Sequence, residues 1–427
     1  MKFAELEINE KKVFGLHILY SVIEGVLFGV VALNEFVFIK TLNGTEMQLA
    51  VLFQASVIVF VFSAVIHELL KRHKKKNILR LTAIVTRIPL LLVMAFPREL
   101  HQVTDMVFYH YLFLLIFFFY YLATPIVFPI INSILKNNYS NSHFGILYSY
   151  ATTTNKVVMM ITTFIFGWML DVDPLSFVYV YPAIGILGIV SLFFLSMAVK
   201  EDYLKPEDEI VSIAESIRKS LKNMKAIIKS NKPYRDFEVG FMLYGFSFML
   251  TFAIITLFLV EELNLNYTSI AFYKNSYNFL AILLLPFFGS LIDRVDPRKF
   301  AAFTFFTLLM HLFFMGLTEY FPYYFDIGAY RFYYLTVISF GWMGLFAATM
   351  SLLWNIGSAY FCKDGDADTY QSVHLTMVGF RAVFAPIFGI WLYRYIGFSG
   401  VFALGVCLLA LSIAIMFWSL KNDITLH

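Results

Sequence analysis

The chain has 427 residues, of which 60% are hydrophobic, 19% aromatic and 14% charged, against roughly 45–50% apolar and 25% charged in an average soluble domain. Such an excess excludes a soluble enzyme, a nucleic-acid binder and a disordered scaffold, because a water-soluble globule cannot hide it. The 32 basic and 29 acidic residues leave a formal charge of +3, too balanced to require a polyanionic partner, and Cys362 and Cys407 are too far apart in sequence to suggest a disulfide framework or a CxxC site.

Apolar stretches of about 20 residues recur between short polar breaks, each long enough to cross a hydrocarbon core about 30 Å thick as a helix. After the charged stretch Met1 to Lys12, the first covers 13–39; it is too long for a signal-peptide core and has no small-residue cleavage pattern, so it reads as a retained span. Further spans fall at 47–70, 78–96, 106–135, 143–170 and 175–199. Pro125 and Pro129 interrupt the fourth. A polar, Lys-rich connection over 200–232 is followed by spans at 234–262, 268–292, 299–318, 330–354, 370–395 and 398–420. Ala385, Pro386 and Gly389 interrupt the eleventh.

The expected fold is all-α and integral to the membrane, with 12 transmembrane helices in two pseudo-symmetric six-helix bundles, 1–199 and 233–427. Lys and Arg concentrate in the loops on one side, at 71–80, 200–232 and 294–299 among others, which places both termini in the cytoplasm. The connection carries Ile210, Ile213, Ile217, Leu221, Met224 and Ile228 at helical spacing with Arg218, Lys219, Lys222 and Lys225 around them, the pattern of an amphipathic linker at the headgroup layer.

A long-period repeat runs through the chain. Glu68 and Lys74 answer to Asp293 and Lys299, Asn132 to Asn355, and Phe166-Gly167-Trp168 to Phe388-Gly389-Ile390, at offsets of about 222–225 residues. Two halves related by duplication are the arrangement of transporters whose halves rock around a midplane site.

The segment Gly289-Ser290-Leu291-Ile292-Asp293-Arg294-Val295-Asp296-Pro297-Arg298-Lys299 resembles the signature loop of the major facilitator superfamily: Gly, three residues, Asp, Arg, then a basic pair. It lies between the eighth and ninth spans, where that family joins the second and third helices of a half, and it departs from the pattern at Asp296, where Gly is usual. The first-half counterpart, from Ser63 to Lys76, has Ala64 and Glu68 in place of Gly and Asp. The resemblance implies a secondary transporter. A carboxylate facing Arg side chains and a neighbouring helix N-terminus forms a charge-assisted latch that breaks when the halves separate. Glu68, Asp293, Arg294 and Arg298 are therefore expected to form a cytoplasmic gate, with simple anchoring of the loop as the alternative. The fourth span lacks the Arg, and the fifth the Gly-Pro-Gly-Gly-like run, usual in the superfamily's drug/proton antiporters.

An ionisable group near the bilayer centre implies a partner or a water-filled cavity. Glu24, Arg87, Lys156 and Arg381 sit within spans one, three, five and eleven, with His374 two turns before Arg381. The resemblance puts the first helix of each three-helix repeat on the central cavity, so Glu24 is expected to carry a proton, or else to form a fixed bridge to Arg87. His374 is a second proton-coupling residue in this reading. Lys156 and Arg381, in equivalent helices of the two halves, suggest a clamp for an anion. Arg87, Asn132, Asn355 and Trp354 complete the expected substrate site.

The expected function is proton-coupled transport of a small organic solute by alternating access, the solute being an anion if Lys156 and Arg381 form the clamp; the alternative is export of amphipathic drugs or lipids. Enzymatic activity is not expected, nor is a cofactor or metal: Asp364, Asp366 and Asp368 form a D-x-D-x-D run, but Thr369 and Leu375 occupy the positions where a calcium loop needs Gly and Glu. The expected partners are the solute, protons and membrane lipids, and the expected state is a monomer in a bacterial inner or plasma membrane.

Overall fold

The computed structural model describes residues 7–59, 74–139, 144–198, 225–292, 294–356, 361 and 367–424. The chain divides into two compact units, Met1–Ile213 and Ala214–His427. Most of the expected linker, together with Glu68, Asp293, Asp364 and Asp366, lies outside the described residues.

In the first unit, α1 (Ile8–Val31) opens with a capping box between Glu7 and Glu10, and its apolar run continues through a π-helical turn to Thr41. Helix α2 (Glu46–Ile58) is capped reciprocally by Thr45 and Gln48. Helix α3 (Lys75–Arg87) tightens into a 3₁₀ segment, Ile88–Ala95, where Pro89 lacks the N–H that an α-helix would use. The expected fourth span is two helices, α4 (Val107–Tyr121) and α5 (Thr124–Asn138), with Pro125 in the first turn of α5. Helices α6 (Phe144–Val172) and α7 (Phe177–Ser196) complete the unit.

Helices α1 and α6 run parallel in close contact. Asn155 Nδ2 donates to the Ser21 carbonyl at 3.0 Å and Thr163 Oγ1 donates to the Gly29 carbonyl at 3.1 Å, so both sequence positions advance together. Gly25 and Gly29 permit the approach, since a Cβ on Gly25 would stand 2.7 Å from the Asn155 carbonyl oxygen. Packing through small residues is how helices associate where lipid removes the hydrophobic drive between them.

The second unit begins with α8 (Lys232–Leu257), capped by Asn231, whose Oδ1 accepts from the Tyr234 N–H at 3.1 Å. Then follow α9 (Tyr267–Ile292), α10 (Pro297–Tyr320), a hairpin of β1 (Tyr324–Ile327) and β2 (Tyr330–Tyr333), α11 (Tyr334–Ile356) and α12 (Ala367–Ile424). Helix α12 stays helical through Pro386, where an interruption was expected, and breaks at Gly397, between the expected eleventh and twelfth spans, where φ is 66° and ψ is −171°. The chain reverses there. Phe241 and Leu250 of α8 meet Arg381 and Gly389 of the first arm, whereas Gly240 and Ser247 meet Ser412 and Gly405 of the second. The first arm is thus parallel to α8 and the second antiparallel.

The parallel contact of α8 with the first arm of α12 repeats, at a similar sequence separation, the contact of α1 with α6. This likeness in internal packing agrees with the repeat visible in the sequence.

The hairpin corrects the expected start of the tenth span at residue 330. Residues 324–333 are apolar enough to read as helix, but Gly328, with φ of 61°, begins a two-residue turn, and Tyr324 pairs with Tyr333 through to Ile327 with Tyr330. The helix starts at Tyr334 instead.

Among the described residues, nine helical stretches are long and apolar enough to cross a membrane. They cover ten of the expected spans, because Met377–Asn422 contains both arms of α12; the second and eighth spans correspond to α2 and α9. Large apolar side chains such as Trp168, Phe287, Phe384 and Phe417 lie exposed on the long helices, the surface that lipid covers.

Candidate functional site

Each unit buries ionisable groups among its helices. In the first, Glu24 of α1 and Arg87 of α3 are 2% and 3% exposed, and Arg87 Nη2 donates to both carboxylate oxygens, at 3.3 and 3.4 Å. The guanidinium lies over the Tyr120 ring, 4.4 Å from its centroid, a cation–π contact across to α4. Gly188 of α7 leaves room for it, as a Cβ there would stand 2.8 Å from Arg87 Nε. Nε and Nη1 have no hydrogen-bond partner among the described residues. Of the two roles weighed for Glu24, the bridge to Arg87 is the arrangement in this structure.

Lys156 of α6 is half-buried and makes no hydrogen bond or ion pair with another described residue. Asn132 and Asn355 lie on α5 and α11, but their side chains are outside the description.

The second unit assembles a larger group. His374 and Arg381, seven residues apart on α12, share a face of the helix. His374 Nδ1 lies 3.0 Å from Glu238 Oε1 of α8, both residues being buried, and His374 Nε2 has no hydrogen-bond partner among the described residues. Trp354 of α11 and Phe241 of α8 meet the imidazole edge to face, with centroids 5.3 and 4.5 Å away. Arg381 Nη1 donates to the Phe241 carbonyl, and the guanidinium lies within 5.6 Å of the Phe241 and Tyr244 ring centroids. Its Nε is buried without a partner among the described residues. Gly245 makes this placement possible, because any Cβ there would occupy the guanidinium's space.

The structure therefore brings together three residues expected from sequence, His374, Arg381 and Trp354, and adds Glu238, Phe241, Tyr244 and Gly245. Glu238 lies seven residues into α8, near the polar end of the span, which hides its burial from a reading by hydropathy. Its signal is the carboxylate itself in a run otherwise without charge from Phe237 to Val260. Chemically, the cluster combines a site where a proton can be shared between imidazole and carboxylate with a permanent cation whose Nε has no partner among the described residues.

The expected gate is described in part. Arg294 is exposed. Arg298 is buried and committed locally: its Nε and Nη2 donate to Asp296 at 3.2 and 3.0 Å, and its Nη1 donates to Ser419 of α12 at 3.2 Å. Asp296 also accepts from the Arg298 backbone N–H at 2.8 Å, capping α10. Partial burial works against the charge on Asp296, but its hydrogen bonds from Arg298 outweigh this and hold the carboxyl below the ordinary Asp range. The departure from Gly at this position thus serves as a helix cap. Asp followed by Pro at the first helical position was the signal for it.

The chain belongs to the Major Facilitator Superfamily, whose family model matches residues 13–361 and, in a second match, 237–426. It is a transporter of that family, a multi-pass integral membrane protein and not an enzyme. Among solved structures it is similar to a bacterial homologue of the iron transporter ferroportin in an inward-facing state, at 11% identity and a TM-score of 0.69 over 97% of this chain and 100% of that one. A POT family transporter in complex with a thioalcohol-conjugated peptide gives 12% identity and a TM-score of 0.68 over 96% of each chain. The nucleoside transporter NupG gives 12% identity and a TM-score of 0.63 over 97% of this chain and 99% of that one. No curated protein matches by sequence.

Proposed function

We propose that the chain is a proton-coupled secondary transporter that moves a small organic anion by alternating access. The observation that carries this reading is the cluster of Glu238, His374 and Arg381: an imidazole–carboxylate pair 3.0 Å apart, on the same two helices as a buried guanidinium whose Nε has no partner among the described residues. A permanent cation favours an anionic solute, and a carboxylate bonded to an imidazole is a place where a proton can be held, the pair's net charge changing by one when that proton leaves.

In this mechanism Arg381 recognises the anion and His374–Glu238 binds the proton, with Trp354 walling the imidazole. Lys156, half-buried on α6, is the other candidate cation for the solute. Glu24 joins in proton binding only when Arg87 withdraws. Asn132 and Asn355 complete the polar lining, and Glu68, Asp293, Arg294 and Arg298 form the cytoplasmic gate. The structures similar to this one are named for nucleoside, peptide and iron transport, so the fold leaves the solute to be chosen by these side chains.

Proteoliposomes with an imposed pH gradient test the proposal. A panel of organic anions and neutral analogues should reveal solute accumulation driven by the gradient. Glu238→Gln should abolish that response while counterflow exchange of the same solute persists, and Arg381→Ala should weaken anions far more than neutral analogues. Unchanged gradient-driven flux in Glu238→Gln, His374→Gln and Glu24→Gln alike would remove the coupling role.

A further inference from the structure

Between α10 and α11 the chain builds a feature that this transport mechanism does not use. Nine of the fifteen residues 320–334 are Tyr or Phe. Register puts Phe325, Ile327, Tyr330 and Phe332 on one face of the hairpin and Tyr324, Asp326, Arg331 and Tyr333 on the other. The second face carries an ion pair, Arg331 Nε to Asp326 Oδ1 at 3.0 Å, with the guanidinium 4.3 Å from the Tyr324 ring centroid.

Strand β2 and the turn are fixed to the start of α9. Asn266 Nδ2 donates to the Ala329 carbonyl at 2.8 Å, the Arg331 N–H to Ser269 Oγ at 2.9 Å, and the Tyr333 N–H to the Tyr273 hydroxyl at 2.9 Å. Strand β1 and the residues leading into it are exposed. Ile327 at the tip is 60% exposed and Tyr323 71%; Phe321, Tyr323 and Tyr334 join Leu317 and Leu335 around an apolar cleft of about 490 Å³.

Depth follows from helix length. Helix α10 has 24 residues, about 36 Å at 1.5 Å per residue, against a hydrocarbon core about 30 Å thick. With Arg298 and Lys299 at its start held at one surface, its Tyr320 end reaches the headgroup boundary at the other. Exposed Phe303, Phe306 and Phe313 on α10, with Val337 and Ile338 on α11, lead from the lipid-covered band up to the hairpin. This exposed surface is therefore continuous with the membrane interface.

We propose that the β1–β2 hairpin is an in-plane membrane anchor. Phe321, Tyr323, Phe325, Ile327 and Tyr334 sit in the headgroup–acyl boundary of the bilayer, phospholipid chains occupy the cleft between them, and the Asp326–Arg331 pair faces water. Aromatic side chains with one polar end suit that boundary. The occupant is phospholipid, since the cleft lining is apolar and its neighbours on both helices already face lipid.

The test uses the full chain with Cys362 and Cys407 replaced by Ser, reconstituted in phosphatidylcholine–phosphatidylglycerol vesicles. Spin labels at Ile327→Cys, Tyr323→Cys and Asp326→Cys are compared for collision with oxygen, which concentrates in lipid, and with a water-soluble nickel chelate. The expected result is an oxygen-to-nickel ratio several-fold higher at 327 and 323 than at 326. Equal ratios at the three sites, or labels at 327 and 323 shielded from both reagents by a protein partner or second copy, would overturn the proposal. As an independent readout, the fluorescence added by Ile327→Trp should be quenched in vesicles with brominated acyl chains; no quenching would likewise count against it.

Discussion

Arg87 and Glu24 show how far a single contact constrains this molecule. Both side chains are almost fully buried, and each is the other's charge partner. Removing one member of such a pair leaves an uncompensated charge, at a cost of about 3–5 kcal/mol, whereas removing both is often tolerated. Arg87→Leu should therefore lower the thermal midpoint in detergent strongly, and adding Glu24→Gln should recover part of the loss; a double-mutant cycle with no coupling would contradict the bridge. Gly245 makes a complementary case. Gly245→Leu should displace the Arg381 guanidinium and reduce anion binding as much as Arg381→Ala does, measured by ligand-induced shifts in unfolding temperature. The burial of charge at Glu24, Arg87, His374 and Arg381 was legible in sequence, because these residues stand out in apolar runs. Glu238 was not, since it lies close to a polar helix end and only the packing of α12 on α8 reveals its histidine. Neither was Gly245, because space for a guanidinium is a property of two helices together.

At the scale of elements, ends and breaks matter more than interiors. Spans could be read from hydropathy, and most helices fall where expected, but hydropathy is nearly blind to what ends them. The tenth span was placed four residues early because a β-hairpin rich in Tyr and Phe looks as apolar as a helix. Asp296 looked like a flaw in a loop motif, yet it caps α10 and holds Arg298. Loss of such a cap costs about 1 kcal/mol, so Asp296→Ala should lower the unfolding temperature modestly. The pH dependence has a defined sign. The folded carboxyl titrates below its unfolded value, near ~3.9, so its contribution is complete above that value and fades as pH falls through the lower, folded one. The stability gap between wild type and Asp296→Asn should accordingly be constant near neutrality and narrow only in acid; a gap that grows on acidification would contradict the assignment.

For the whole molecule, the internal likeness of the two units is the most informative feature. α1 packs on α6 in parallel, and α8 packs on the first arm of α12 in the same sense, although their contacts use different residues. Ionisable groups follow the architecture without copying it. The first unit pairs a carboxylate with a guanidinium; the second pairs a carboxylate with an imidazole and leaves a guanidinium beside it. Two units of like internal packing thus carry unlike sets of buried ionisable groups.

The reversal in α12 has a consequence for how the chain is threaded into lipid. Unbroken, its 58 residues would make a rod about 87 Å long, nearly three times the thickness of the oil it must traverse. One backbone angle pair, in a region essentially reserved for glycine, divides that rod and sends its closing stretch back across the bilayer. Gly397→Val should straighten or misplace the final arm, and a reporter fused after it should then be found in the opposite compartment, or divided between the two. The side on which this polypeptide finishes is decided by the absence of a single methyl-sized substituent.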